Sequence, residues 1–133
     1  MVYNVVHLLY MKKKIVLVED DRILSTTLGE ELRDAGFEVA KAFDGEEALK
    51  VILEQLPDLV LLDLILPKLD GMSVFLKLQE NQATSHIPVI VLTNLSDNAK
   101  VSEALQAGVF EYLVKSDWNM SDVAERVKEK LGA

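Results

Sequence analysis

The chain has 133 residues, half of them hydrophobic and only 6% aromatic, with 14 basic and 22 acidic side chains and a net charge of −8. That length supports one compact domain with a largely aliphatic core. The negative charge would repel a phosphate backbone, so no direct nucleic-acid partner is expected. With no cysteine there is no disulfide framework, thiolate metal site or cysteine nucleophile, which fits a cytoplasmic location.

The first ten residues, MVYNVVHLLY, are apolar. They lack the basic flank and small-residue cleavage site of a secretory signal and are too short to span a bilayer, so no membrane insertion is expected. Residues 1–10 read as an N-terminal extension, whether an upstream start, an added segment or an arm that packs on a partner. The domain proper is expected over 11–133, with nothing in the sequence pointing to a linker or a second domain.

From Met11 onward short apolar runs alternate with helical patterns. The run IVLV at 15–18 is rich in Val, Ile and Leu without polar alternation, as suits a strand covered on both faces. Asp21 reads as the cap of a first helix, with Leu24, Leu28 and Leu32 on one face and Gly36 at its end. A weaker strand, FEVAKA, follows at 37–42. Asp44 with Glu47 three residues on resembles a capping box opening a second helix, GEEALKVILEQL. The run LVLL at 59–62 is a third strand, ending in Asp63. Pro67 and Gly71 bracket a turn, with Asp70 in it, before a third helix, MSVFLKLQE. VIVL at 89–92 is the fourth strand. A fourth helix is expected to begin near Asp97, to carry Val101, Ala104 and Leu105 inward and to end at Gly108. YLV at 112–114 is the fifth strand, and Val123, Val127 and Leu131 form the inner face of a fifth helix. Five strands alternating with five helices predict an α/β fold with a parallel sheet covered on both sides.

In such a sheet ligands sit beyond the carboxyl ends of the strands. Glu19, Asp20 and Asp21 follow the first strand, Asp63 the third, Thr93 ends the fourth and Lys115 follows the fifth. Carboxylates held together repel unless a cation joins them. Mg2+ is the natural one, since it takes oxygen ligands and keeps room for waters and phosphate oxygens. Lys115 is a mobile charge suited to a phosphoryl oxygen, or to a carboxylate when none is present. Thr93 can donate a hydrogen bond. The set reads as a metal-assisted phosphoryl site with Asp63 as nucleophile.

These residues bring a family into view. VLVEDD, DLVLLDLILPKLDGM, PVIVLTN and GVFEYLVKS stand in register, with 43 residues from Asp20 to Asp63, 30 more to Thr93 and 22 more to Lys115. Over residues 12–131 the chain resembles the receiver domain of two-component response regulators, of the stand-alone type. The resemblance implies a flavodoxin-like, doubly wound sheet of strand order 2-1-3-4-5, an arrangement general accounts of the fold illustrate with this family. It implies that Asp63 takes a phosphoryl group from a histidine kinase or a histidine phosphotransfer protein. Glu19, Asp20, Asp63 and the backbone carbonyl of Ile65 would hold Mg2+. Thr93 and Lys115 would engage the phosphoryl oxygens, and Thr93 and Tyr112 would form the switch. A downstream protein target would read the face made by the fourth helix, fifth strand and fifth helix, which includes Lys100, Glu103 and Gln106. The domain would assist its own phosphorylation and dephosphorylation without a separate turnover substrate.

The chain departs from the family at three points. Asn94 follows Thr93 where a small residue is usual, which bears on donor access. Ser116 follows Lys115 where a cis proline is usual; a cis bond to a non-proline costs about 2.5–4 kcal/mol, so either strain is stored there or the loop takes another course. Ile65 and Leu95 occupy the two positions that modulate dephosphorylation, and apolar side chains there cannot orient an attacking water, so a slowly decaying phosphoryl state is expected.

Two rival functions are weighed. A phosphatase with a strand-end aspartate would offer a second acid at position 65, which here is Ile65. A degenerate receiver, acting as a phosphate-independent binding module, would typically lack one of the acids or the lysine, and none is missing. His7 and His86 have no partner at ligand spacing, and Trp118 reads as a surface-packing residue near the site.

Overall fold

The structure is a computed structural model, described here for residues 12–132. Five strands, β1 (Lys14–Val18), β2 (Glu38–Ala42), β3 (Leu59–Leu62), β4 (Val89–Thr93) and β5 (Glu111–Val114), form one sheet in the order β2-β1-β3-β4-β5. Every neighbouring pair is parallel, with Val16 level with Ala40 on one side and Val60 on the other, and Val91 level with Leu62 on one side and Tyr112 on the other. The helices are α1 (Arg22–Asp34), α2 (Gly45–Gln55), α3 (Gly71–Glu80), α4 (Asn98–Ala107) and α5 (Met120–Leu131). The expected extension at 1–10, including His7, lies outside the described residues.

The unbroken apolar runs have a direct cause: successive residues of a strand point to opposite faces, and here both faces are core. Ile15, Leu17, Leu59, Leu61, Ile90 and Leu92 pack with Leu28 and Leu32 of α1 and Val123 and Val127 of α5. Val16, Val18, Val60, Leu62, Val89 and Val91 pack with Ile52 of α2, Val74, Phe75 and Leu78 of α3 and Ala104 of α4. Two helices therefore cover one face and three the other. β2 lies at an edge, which is why its pattern is weak in sequence: Glu38 is exposed, Lys41 is half-buried, and Phe37 enters the core from just before the strand.

Each helix starts on a side-chain cap, which settles where the chain leaves the sheet edge. Asp21 accepts from Ile23 N and Leu24 N, Asp44 from Glu47 N, Asp70 from Ser73 N, Asp97 from Ala99 N and Lys100 N, and Asn119 from Asp122 N. Asp70 is thus the cap of α3 rather than simply part of a turn. The Glu47 carboxylate accepts from Phe43 N at 3.0 Å, closing the α2 box one residue earlier than the usual reciprocal contact. Gly36 and Gly108, at φ +101° and +113°, end α1 and α4 in the left-handed region glycine favours.

One inward residue is corrected. Leu105 is 47% exposed, whereas Ala104 is fully buried and Val101 half-buried. Each helical residue turns the side chain about 100° around the axis, so once Ala104 faces the sheet Leu105 is carried off it. The departure at Ser116 resolves in favour of a different loop course. No peptide among the described residues is cis, and Lys115–Asp117 form a single 3-10 turn.

Candidate functional site

The carboxyl ends of β1, β3, β4 and β5 bring the sequence-selected residues to one edge. Glu19 follows β1 and is 2% exposed, while Asp20 beside it faces solvent. Asp63 follows β3 and is 5% exposed. Its backbone N–H still donates to the Val18 carbonyl at 3.1 Å, so the sheet ladder holds the residue in place. Glu19, Asp20 and Asp63 each offer a carboxylate oxygen within 4.8 Å of the others.

Three donors surround the Asp63 carboxylate. Thr93 Oγ1 donates to Oδ1 at 2.8 Å, the Ile65 backbone N–H donates to Oδ1 at 3.0 Å, and Lys115 Nζ donates to Oδ2 at 2.7 Å. Lys115 Nζ also contacts Glu19 Oε1 at 2.6 Å, and the Asp21 N–H donates to Glu19 Oε2 at 3.1 Å. Hydrogen bonds and one shared ammonium thus compensate the burial of a carboxylate at the end of so apolar a strand. Asp21 is turned to its helix cap, as the sequence indicates, and is not one of the clustered acids.

The electrostatics follow from this arrangement. Burial pushes the Glu19 carboxyl above its ordinary value, opposed by the Lys115 ammonium and the Asp21 amide. Burial disfavours the charge on Lys115, but its contacts with Asp63 and Glu19 outweigh this and hold the ammonium above its usual range. Tyr112 is raised by burial, then by the negative charges of Asp63 and Asp97. The Tyr112 hydroxyl donates to the Leu95 carbonyl at 2.7 Å, across the loop that follows Thr93.

The donor set fits Mg2+: three carboxylates, no nitrogen or sulfur ligand, and one partner, Asp20, open to solvent and so to metal-bound waters. Lys115 sits between two of the three acids, where a cation's charge is needed.

The remaining candidates contribute no side chain to this cluster of contacts. Ile65 is 53% exposed at its rim, and Asn94 and Ser116 are exposed. His86 is exposed, and Trp118 is half-buried against the α1/α5 core. Lys100, Glu103 and Gln106 are exposed on α4, with Lys100 Nζ 3.8 Å from Glu103 Oε2 and Gln106 Nε2 donating to Ser102 Oγ at 3.2 Å. Gly45, at the start of α2, is a position to which no role is assigned from the sequence. Its only signal is a glycine in the first turn of a helix where better helix formers would serve.

A five-stranded parallel sheet in this order, with helices on both faces and acids at the carboxyl edge, defines a flavodoxin-like α/β domain. The chain belongs to the response regulator receiver domain family, whose model matches residues 15–128. It is 36% identical over 121 residues to the DNA-binding response regulator MtrA of Mycobacterium tuberculosis, covering 91% of this chain and 51% of that protein. The CheY-like receiver domain protein of Methanospirillum hungatei JF-1 superposes with a TM-score of 0.83 at 28% identity, covering 91% of this chain and 94% of that one. The receiver domain of the sensor histidine kinase PA1611 of Pseudomonas aeruginosa PAO1, solved with magnesium coordinated in its active-site cleft, superposes at 0.81 with 29% identity, covering 92% and 99%. The chain spans between 40% and 52% of the length of the curated relatives it matches. Among the described residues no helix is long and apolar enough to cross a membrane.

Proposed function

We propose that the domain is a phosphoacceptor in a two-component phosphorelay, with Asp63 as the residue modified. The observation that carries this reading is the three-sided grip on the Asp63 carboxylate by Lys115, Thr93 and the Ile65 amide, beside Glu19 and Asp20. A structural aspartate at a strand end needs amides alone; it does not need a lysine shared with a second buried acid.

Glu19, Asp20, Asp63 and the Ile65 carbonyl would hold Mg2+, as the magnesium-containing relative suggests. When bound, the ion would offset the negative charge of the carboxylates and of the incoming phosphoryl group. An Asp63 oxygen attacks the phosphorus of a phosphohistidine, the P–N bond breaks, and its electron pair leaves with the imidazole. Lys115 shifts its ammonium from the carboxylate to a phosphoryl oxygen, and Thr93 redirects its hydroxyl from Asp63 Oδ1 to another. Thr93 carries the loop with it, and the Leu95 carbonyl moves with that loop. Tyr112, bonded to this carbonyl, is thereby coupled to the phosphoryl group.

The donor is a histidine kinase or histidine phosphotransfer protein, and the altered surface is the α4–β5–α5 face, read by a downstream protein in the cytoplasm. A relative named as a DNA-binding response regulator is compatible with such an output in a longer chain. The test is incubation with Mg2+ and a phosphohistidine-bearing protein, followed by hydroxylamine. Transfer of a hydroxylamine-labile phosphoryl group to Asp63 supports the reading. A folded protein that binds Mg2+ but accepts phosphate from neither this donor nor phosphoramidate would instead be a phosphate-independent binding module, the reading Asn94 and Ser116 favour.

A further inference from the structure

Gly45, the first residue of α2, lies against the loop that follows Asp63. A Cβ at this position would stand 1.8 Å from the Leu69 carbonyl oxygen and 2.6 Å from its carbonyl carbon, both backbone atoms that no rotamer change can move aside. Gly45 is not among the residues with positive φ, so it is space and not backbone conformation that demands glycine here. Its N–H donates to the Pro67 carbonyl at 3.2 Å. The adjoining Asp44 carboxylate is 3.5 Å from Lys68 Nζ, and Lys68 itself takes φ +68°.

The far end of the loop is equally constrained. Gly71 N donates to the Leu64 carbonyl at 2.9 Å, and a Cβ on Gly71 would lie 2.3 Å from the Asp63 carbonyl oxygen. Residues 64–70 are therefore closed at their base and pressed at their crown by α2. Within that loop sits Ile65, whose N–H holds Asp63 Oδ1.

We infer that Gly45 is a positioning residue for the metal site: by admitting Leu69 and bonding Pro67, it sets the course of the loop that presents the Ile65 backbone to Asp63 and the cation. This rests on the metal reading given under Proposed function. α2 contributes no ligand, yet its first turn fixes where a ligand stands, as outer partners of metal ligands do.

The test is Mg2+ titration calorimetry on the full chain, with the unfolded fraction of each protein measured separately. Gly45→Ala is expected to weaken Mg2+ binding about tenfold. Gly29→Ala, whose added methyl meets the flexible Lys41 end at 2.9 Å, is expected to leave it unchanged. Equal affinity in Gly45→Ala and wild type, or equal weakening by Gly29→Ala, overturns the inference. Should Gly45→Ala not fold, amide exchange of the wild type decides: saturating Mg2+ is expected to slow exchange at Gly45 several-fold, and an unchanged rate overturns the inference. Failure of the wild type to bind Mg2+ at all would overturn the metal reading itself.

Discussion

Lys115→Ala separates the two roles of the site's one ammonium. In the structure Lys115 Nζ touches Asp63 Oδ2 at 2.7 Å and Glu19 Oε1 at 2.6 Å, with the carboxylate side chains 5% and 3% exposed and the lysine side chain 13%. Removing it leaves two buried acids facing each other without a counter-charge. Breaking a buried pair costs about 3–5 kcal/mol; with Asp20 open to water beside it, the low end, roughly 3 kcal/mol, is appropriate. For a domain of this size that is a fall of about 10 °C in Tm. Because the vacated position lies between the same acids that would hold the metal, Mg2+ is expected to stabilise the variant more than the wild type. Lowering the pH is expected to narrow the gap as well, since burial already pushes Glu19 up and the loss of Lys115 removes the main charge opposing its protonation. Thermal denaturation of both proteins, with and without MgCl2 and from neutral pH downward, measures this. A variant whose Tm gain with Mg2+ is no larger than the wild type's would refute the placement of Lys115 in the cation's position.

Three further outcomes follow from other residues. Asp70→Ala removes the α3 cap and is expected to cost about 1 kcal/mol at neutral pH; the Ser73 amide holds the Asp70 carboxyl below its ordinary value of 3.8, so the contribution is complete above that value and disappears as pH falls through the lowered one, which urea titrations across the acid range would show. Ile65→Gln places a polar group at the exposed rim and is expected to shorten the lifetime of the Asp63 phosphoryl group, read by loss of phosphoprotein mass with time; wild-type loss within seconds at neutral pH would count against a slow-decaying state. Tyr112→Phe deletes the bond to the Leu95 carbonyl at a cost of about 1 kcal/mol, and it is expected to reduce the chemical-shift change of α4 amides on phosphorylation; an undiminished change would remove Tyr112 from the switch.

How much of this was legible in the sequence depended on whether a feature was local or converged at strand ends. β1, β3 and β4 stood out because both of their faces are buried, so no polar residue interrupts them. β2 was faint because an edge strand can carry Glu38 and Lys41. The helix starts were legible because Asp21, Asp44 and Asp97 cap through neighbours two or three residues away. Leu105 misled because its spacing from Val101 fits a helical stripe, while the short α4 presents Ala104 to the sheet instead. Glu19, Asp20, Asp63, Thr93 and Lys115 could be assembled without coordinates, since a parallel sheet sends every strand's carboxyl end to the same edge. The pressing of Gly45 on Leu69 could not, because it joins a helix start to a loop whose path no local pattern dictates. Likewise, composition offers no hint that Lys115 bridges Glu19 and Asp63 together.

The most direct test of the central claim is the intact mass of the wild type and of Asp63→Asn after incubation with phosphoramidate, each with and without Mg2+. The expected result is a gain of one phosphoryl group in the wild type only, and only with Mg2+. A gain in Asp63→Asn equal to that of the wild type, or no gain in either protein from phosphoramidate and none from a phosphohistidine-bearing protein while both are folded and bind Mg2+, would contradict the assignment of Asp63 as the phosphoacceptor.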